Sequence, residues 1–217
     1  MSAIQKNVEQ TSKSYSASFT QGHLALPPAK KYLVLTCMDA RIDPARAFGI
    51  ELGDAHVIRN AGASAVDALR SIVISEQLLG TNEIILVKHT GCGMLTFKNE
   101  DAYGVVGKNL GQNEKADSKG LASASYHTTV VVVKEGDREE KKVREERGLT
   151  CDNNNQNREE ALAELKAKKL DFLPFPELEK AVEDDVAFLK GSKLVPESVT
   201  ISGWVYEVES GETRRVV

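Results

Sequence analysis

The chain has 217 residues, 41% of them hydrophobic, enough for one good core and predicting one main domain with appendages rather than two. Its 28 basic residues against 32 acidic ones leave a formal charge of -4, so there is no broad basic surface for a phosphate backbone or an anionic membrane, and neither nucleic acid nor membrane is an expected partner. No apolar run approaches the roughly 20 residues of a membrane helix, and the N-terminus has no apolar signal core, so the expectation is a soluble, cytoplasmic protein. Residues 1–22 are rich in Ser, Thr and Gln but contain no Arg, which gives a mitochondrial transit segment little support. The three cysteines, Cys37, Cys92 and Cys151, are too few for a disulfide framework and suit a reducing compartment in which thiolates stay available for metal or catalysis.

Tyr32 to Cys37 is a short apolar, β-rich run behind Pro27 and Pro28 and reads as a buried strand ending at Cys37. Asp43 before Pro44 is a helix-start signature. Ala55 to Arg59 reads as a second strand and Asn60 to Gly62 as a turn. From Ser64, the residues Val66, Leu69, Ile72, Val73, Leu78 and Leu79 recur near helical spacing and stop at Gly80, predicting a helix packed by that face. Glu83 to Lys88 is another buried strand, with His89 just past it. This strand–helix–strand rhythm predicts an α/β fold: a central, mostly parallel sheet flanked by helices, with reactive groups at the C-terminal strand ends.

Phe172 to Leu189 carries Pro174 and Pro176 as a start signal and then Leu178, Val182, Val186 and Leu189 on one helical face. Ser198 to Val208 reads as a strand, and Ser210-Gly211 as the turn of a terminal hairpin. Between these regions, Lys134 to Arg147 is a dense mixed-charge run and Asn153 to Asn155 a polar patch, both read as solvated helix or loop.

Cys37, followed much later by the His-x-x-Cys pair His89 and Cys92, offers three ligands and leaves a fourth position open. Zinc accepts thiolates and imidazole in tetrahedral geometry, and catalytic zinc sites keep a place for water or substrate. Gly91 and Gly93 flank Cys92 and let a loop wrap closely. Spacing alone equally allows two ordinary buried thiols and a hydrogen-bonded histidine, because this is no local zinc-finger pattern.

The neighbouring residues carry more. Cys37-Met38-Asp39-Ala40-Arg41, Arg59-Asn60-Ala61-Gly62 and His89-Thr90-Gly91-Cys92-Gly93 closely resemble the three signature segments of the β-class carbonic anhydrases. Asp43-Pro44, Gly53-Asp54 and Ile201 to Tyr206 are similar to the compact microbial and fungal branch of that family. The likeness is dense through residues 32–97 and returns over 172–217.

The resemblance implies that Cys37, His89 and Cys92 bind one zinc per chain, and that Asp39 and Arg41 are the family's catalytic Asp–Arg dyad, the Arg holding the carboxylate off the metal or letting it swing in as a fourth ligand. It implies hydration of carbon dioxide to bicarbonate through zinc-bound hydroxide, in a homodimer or higher homo-oligomer whose N-terminal helix embraces the partner; residues 1–30 would be that arm, with 3–20 as its helix, although their sparse apolar residues equally allow a frayed tail. Two thiolates and a neutral imidazole cancel the zinc charge, so the bound water is expected to be less acidic than in a three-histidine site, where its pKa is about 7. Asp39 would then orient the nucleophile, and Arg41 would clamp Asp39. A site closed by Asp39 at low pH would make activity rise with pH. Ala61, Gly62 and Ala63 are small enough to border a pocket for a linear triatomic substrate, although packing of the following helix explains them equally well. No proton shuttle is identified, with His23, His56 and His127 available by chemistry.

Residues 119–157 depart from the family pattern. They read as an inserted hairpin begun by Thr128 to Val133, a disordered excursion, or translated non-coding sequence, and Cys151 within them receives no role. Two other readings share the zinc set: hydrolysis of carbon disulfide or carbonyl sulfide on the same scaffold, and a non-catalytic module that binds zinc or bicarbonate. The Asp39–Arg41 dyad argues against the last, since a purely structural site needs neither residue.

Overall fold

The computed structural model describes residues 1–109, 163–165, 167 and 170–217. The chain divides into two compact units, one made of Met1–Cys92 with Pro176–Val217 and the other of Gly93–Phe175. The expected insertion at 119–157, with His127, Cys151 and the charge-rich and polar runs, lies outside the described residues.

The first unit is built on a five-stranded sheet in the order β2-β1-β3-β4-β5. Strands β1 (Tyr32–Cys37), β2 (Ala55–Asn60), β3 (Glu83–His89) and β4 (Thr200–Tyr206) pair in parallel, and the short β5 (Thr213–Arg215) turns back antiparallel on β4. Strands β1 and β3 are continuous apolar runs because a parallel sheet is covered on both faces. Leu33, Leu35, Ile84, Leu86, Ile201 and Val205 form the sheet's share of the core. In the hairpin, Gly211 takes a left-handed backbone (φ 80°), and the Ser210 hydroxyl accepts the Glu212 N–H, the turn chemistry read from Ser210-Gly211.

Helix α1 (Ala3–Ser18) begins with a capping box between Ser2 and Gln5 and buries no residue. Helix α2 (Pro44–Phe48) starts where Asp43 and Pro44 predict, with the Asp43 carboxylate accepting the Arg46 N–H. Helix α3 (Ala65–Val73) is capped by Ser64 and runs on through a π-helical turn, Ile74–Leu78. Here the structure keeps Ile72 and Leu69 of the expected face against the core and corrects the rest. Val66 and Leu78 are 48% and 71% exposed, while Ala65, Ala68, Ile72, Ser75 and Glu76 are buried. Small residues sit where the helix closes on the sheet, and the wider π turn shifts the phase of the residues that follow.

The helix read over Phe172 to Leu189 is α5 (Leu178–Gly191), which starts only after both prolines. A residue before proline is pushed out of the right-handed helical region, so the helix does not begin until both prolines are passed, and Leu173 takes a left-handed backbone (φ 55°) instead. Val182, Val186 and Leu189 of α5 join Ala65, Ala68 and Ile72 of α3 in the core. Gly203 lies beneath α5: a Cβ there would stand 2.4 Å from Val182 Cγ1, 2.9 Å from Val217 Cγ1 and 3.0 Å from Val186 Cγ2.

In the second unit, α4 (Asn99–Asn109) follows a 3-10 turn, Gly93–Leu95. Segment 170–173 is fastened to α4 by Asn99, whose side chain donates to Asp171 and accepts from the Phe172 N–H, and by the Tyr103 hydroxyl donating to the Leu170 carbonyl. The rings of Tyr103 and Phe172 meet edge to face with centroids 5.5 Å apart.

Two expectations follow for stability. Gly203→Ala forces the added methyl into Val182 and costs about 1–3 kcal/mol, read as a lower urea midpoint at unchanged slope, and adding Val182→Ala recovers part of it. Glu76 is 6% exposed, and among the described residues neither carboxylate oxygen has a hydrogen-bond partner. Burial lifts its pKa from 4.5 to about 7, with no charged neighbour contributing. Below pH 4.5 the folded and unfolded states are both protonated. Between there and pH 7 only the unfolded state ionises, so stability falls as pH rises, by up to about 3 kcal/mol in all. Glu76→Gln is therefore stabilising at pH 8 and nearly neutral at pH 4.5 in urea titrations, and an equal effect at both pH values contradicts this.

Candidate metal centre

Strands β1 and β3 are neighbours in parallel register, so their C-terminal ends lie side by side and bring Cys37 and His89 together. The chain turns back at Gly91 to place Cys92 against them. The ligand-capable atoms of Cys37, His89 and Cys92 lie within 4.8 Å of one another, and the three residues are 4%, 1% and 2% exposed. These are the three ligands expected from sequence.

The His89 ring is oriented for coordination. Its Nδ1 donates to the Thr90 carbonyl at 2.8 Å, which fixes the proton there and leaves Nε2 with its lone pair. Nε2 is buried and has no hydrogen-bond partner among the described residues. A buried imidazole nitrogen that faces two sulfurs and has no oxygen or nitrogen partner among the described residues fits a metal ion. The Cys37 thiol is held well below the ordinary thiol range, first by its hydrogen bond with Cys92, then by His89 and by the backbone of Asp39 and Gly62. Neither cysteine is in a disulfide.

Asp39 and Arg41 meet as the dyad predicts. Asp39 Oδ1 accepts from the Arg41 backbone N–H and Nε, both at 2.9 Å, and Oδ2 accepts from Nη2 at 2.7 Å. Arg41 Nη2 also donates to the Gly91 carbonyl at 3.0 Å, which ties the dyad to the loop before Cys92. The guanidinium beside Asp39 pulls its carboxyl down to about 2. Asp39 Oδ2 stands 3.8 Å from His89 Nε2, at the border of the metal group.

Arg59 was visible in a motif but carried no assigned role. From β2 it donates Nε to the Cys37 carbonyl at 3.0 Å and Nη2 to the Asp39 carbonyl at 2.6 Å, fixing the backbone on either side of Met38. Asn60 closes the next turn, its side chain exchanging two hydrogen bonds with the backbone of Ser64. Of the expected pocket residues, Gly62 and Ala63 are buried and Ala61 is exposed. Gly62 and Ala63 both take left-handed backbones, φ 72° and 53°, and the latter is a strained setting for a residue with a side chain. A cavity lined by His56, Val57, Ile58, Ser71, Ile74, Ser75 and Leu79 opens beside β2 and includes none of the metal group. His23 Nδ1 lies 3.2 Å from the Thr20 carbonyl, and His56 Nδ1 2.8 Å from Ser75 Oγ.

Lys88 and Asp185 also escaped sequence reasoning. Lys88 is 2% exposed, yet its ammonium reaches the Gly62 carbonyl at 2.8 Å, the Ala63 carbonyl at 3.2 Å and Asp185 Oδ2 at 2.8 Å. A lone cation closing the apolar run of β3 was the available signal. Asp185 has none, being one acid among several on α5.

The family model described as carbonic anhydrase matches residues 32–213. A β-carbonic anhydrase of Mycobacterium bovis is 53% identical over 88 residues, 40% of this chain and 53% of the relative, so the aligned stretch spans about half of that protein's length. A carbon disulfide hydrolase of Saccharolobus solfataricus is 30% identical over 197 residues, 88% of this chain and 79% of the relative. Among solved structures, a carbonic anhydrase from Glaciozyma antarctica superposes with a TM-score of 0.73 at 34% identity, covering 100% of both chains.

The buried pair sets a measurable stability. Lys88→Met leaves Asp185 without its cation and two turn carbonyls without donors, and is expected to cost about 3–5 kcal/mol in denaturant unfolding at pH 7. A loss under 1 kcal/mol would show that the pair is not fully formed.

Proposed function

The chain belongs to the β-carbonic anhydrase family, and we propose that it hydrates carbon dioxide to bicarbonate at a zinc centre held by Cys37, His89 and Cys92. The observation that carries the reading is the confinement of two thiols and an orphaned imidazole nitrogen within 4.8 Å beside an arginine-clamped carboxylate. Zinc bound there supplies a Lewis acid and lowers the pKa of water.

The chain's own residues do the rest. Asp39, ionised and fixed from one side by Arg41, keeps lone pairs free to accept the proton of the attacking oxygen and aim that oxygen at the carbon of carbon dioxide. Arg41 supplies the fork that only a guanidinium makes with both carboxylate oxygens. Arg59 holds the Cys37–Asp39 backbone and so sets the distance from Asp39 to the ligands. The turn Ala61–Ala63, short in side chain, borders the space for a small linear substrate.

A second reading, hydrolysis of carbon disulfide or carbonyl sulfide, is favoured by the Saccharolobus relative, whose match covers more of this chain than the mycobacterial one does. We place carbon dioxide first because a carbonic anhydrase superposes over the full length of both chains at 34% identity and a TM-score of 0.73.

The assembly we infer is a homodimer or a multiple of it. The support is α1, an N-terminal arm that leaves Ile4, Val8 and Tyr15 at 76%, 60% and 58% exposure. The two free cysteines of the metal group fit a reducing compartment, the cytoplasm. No helix among the described residues is long and apolar enough to cross a membrane.

Stopped-flow hydration with zinc quantified on the same sample tests the reading. One zinc per chain and fast turnover are expected, with Cys37→Ser losing both. Arg41→Ala keeps the zinc and lowers kcat about 10–100-fold, because Asp39 is no longer held. Zinc-loaded protein that releases hydrosulfide from carbon disulfide but does not hydrate carbon dioxide would replace the first reading with the second.

A further inference from the structure

We propose that Thr90 is a positioning residue for His89, locked by Glu209 and the segment after β4, and that it fixes the direction in which the His89 ring presents Nε2 to a metal. The inference rests on His89 being a metal ligand, and it holds for either substrate class of the proposed function.

The His89 Nδ1 proton goes to the carbonyl of the next residue along the chain, at 2.8 Å. A carbonyl so close in sequence reaches the ring only while its peptide plane is turned toward it, so the ring is held no better than that plane. Every polar group of Thr90 is engaged in holding it. The N–H donates to the Tyr206 carbonyl at 3.0 Å, and Oγ1 accepts the Val208 N–H at 3.0 Å and donates to Glu209 Oε2 at 2.7 Å. On the other side of the same peptide, Gly91 is left-handed (φ 59°) and its carbonyl accepts from Arg41. A Cβ on Gly91 would lie 3.8 Å from Arg41 Nη1 and 3.9 Å from Val208 Cγ2, so the turn is held between the arginine of the dyad and the segment that grips Thr90.

Fastening two strand ends is a weaker account of these bonds. Strands β3 and β4 are already paired as far as His89 and Tyr206, and the Thr90 N–H extends that ladder without any side chain. The hydroxyl adds two bonds whose direction is set: it has one proton, an ionised carboxylate only accepts, and so the proton goes to Glu209 and a lone pair to the Val208 N–H. A charged acceptor makes the first of these the stronger kind of hydrogen bond. The result is a chain of contacts from the exposed Glu209 through the half-buried Thr90 to the buried His89. Without the hydroxyl the peptide after Thr90 can rotate and Nδ1 loses its acceptor. The ring is then free to turn, or to carry its proton on Nε2, where it cannot bind a metal.

The test uses the full chain with isotope-labelled histidine. It combines zinc affinity from chelator competition, a thermal melt and the Nδ1–H resonance of His89 in the metal-free protein, assigned by its loss in His89→Asn. Thr90→Val keeps the shape of the side chain and removes both hydroxyl bonds. It is expected to fold, to bind zinc about 10–100-fold more weakly and to lose the protected Nδ1–H resonance, whereas Thr90→Ser retains both properties. Glu209→Gln, which keeps a neutral acceptor, should fall between wild type and Thr90→Val. A folded Thr90→Val with the wild-type affinity and resonance overturns the proposal. So does a Thr90→Ser as impaired as Thr90→Val, which would assign the residue to packing through its methyl group. If Thr90→Val does not fold, Glu209→Leu decides, and an unchanged zinc affinity there overturns the proposal. Wild-type protein that takes up no zinc removes the metal reading instead, and this inference with it.

Discussion

Two sulfur atoms and an imidazole nitrogen are confined within 4.8 Å in a place almost without solvent, and that crowding governs the structure around it. Two thiolates so close would repel each other, whereas a Cys92 thiol donating to the Cys37 sulfur favours a single thiolate and lowers the Cys37 pKa. The surrounding groups answer the negative charge. Backbone from Asp39 and Gly62 reaches Cys37, Arg59 takes the carbonyls of Cys37 and Asp39, and Arg41 takes the carboxylate and the Gly91 carbonyl. Each anchor comes from the C-terminal end of a strand, or from the loop just after one. A parallel sheet collects those ends at one edge, so the fold supplies the crowding.

The strands were the most legible part of the sequence. Tyr32 to Cys37 and Glu83 to Lys88 are apolar runs too short for helices, and the structure makes both of them strands. The Asp43-Pro44 start and the Ser210-Gly211 turn were legible for a different reason, since their chemistry is local and little from the tertiary context can override it. The buried face of α3 was legible only in part, at Leu69 and Ile72. Weighting large apolar residues selected Val66 and Leu78, whereas close approach to the sheet selects Ala65 and Ala68, and a π turn cannot be foreseen from a 3.6-residue period.

At the site, the ligands and the dyad were found through motifs that carry them as a set, not through spacing. The groups that hold the set were harder to see. Arg59 acts through its guanidinium on carbonyls whose positions only the fold defines. Asp185 is 97 residues from Lys88 in sequence, and no periodic pattern joins an acid on α5 to a lysine on β3. Such contacts are tertiary by nature, and in a single sequence their trace is no more than a charge in an otherwise apolar strand.

The dyad shows how little freedom the site leaves. An exposed Arg–Asp pair ordinarily contributes under about 1 kcal/mol, and the Arg41 side chain is 54% exposed. This one differs in geometry. Arg41 engages Asp39 through a forked guanidinium and its own backbone N–H, and a fourth bond pins the guanidinium to Gly91. For Asp39 to turn onto a metal it must surrender three hydrogen bonds, each of a kind that contributes about 1.5–3 kcal/mol when a charge is involved. Any closed arrangement with Asp39 as fourth ligand therefore has to find Arg41 a new acceptor. Glu209 is the nearest anionic candidate in charge terms, since it bears on Arg41 electrostatically while its carboxylate is held by the Thr90 hydroxyl at 2.7 Å. The Asp39–Arg41 arrangement is thus secured by the turn between His89 and Cys92, and moving Asp39 toward the cluster would require Arg41 to leave the Gly91 carbonyl or that turn to move with it.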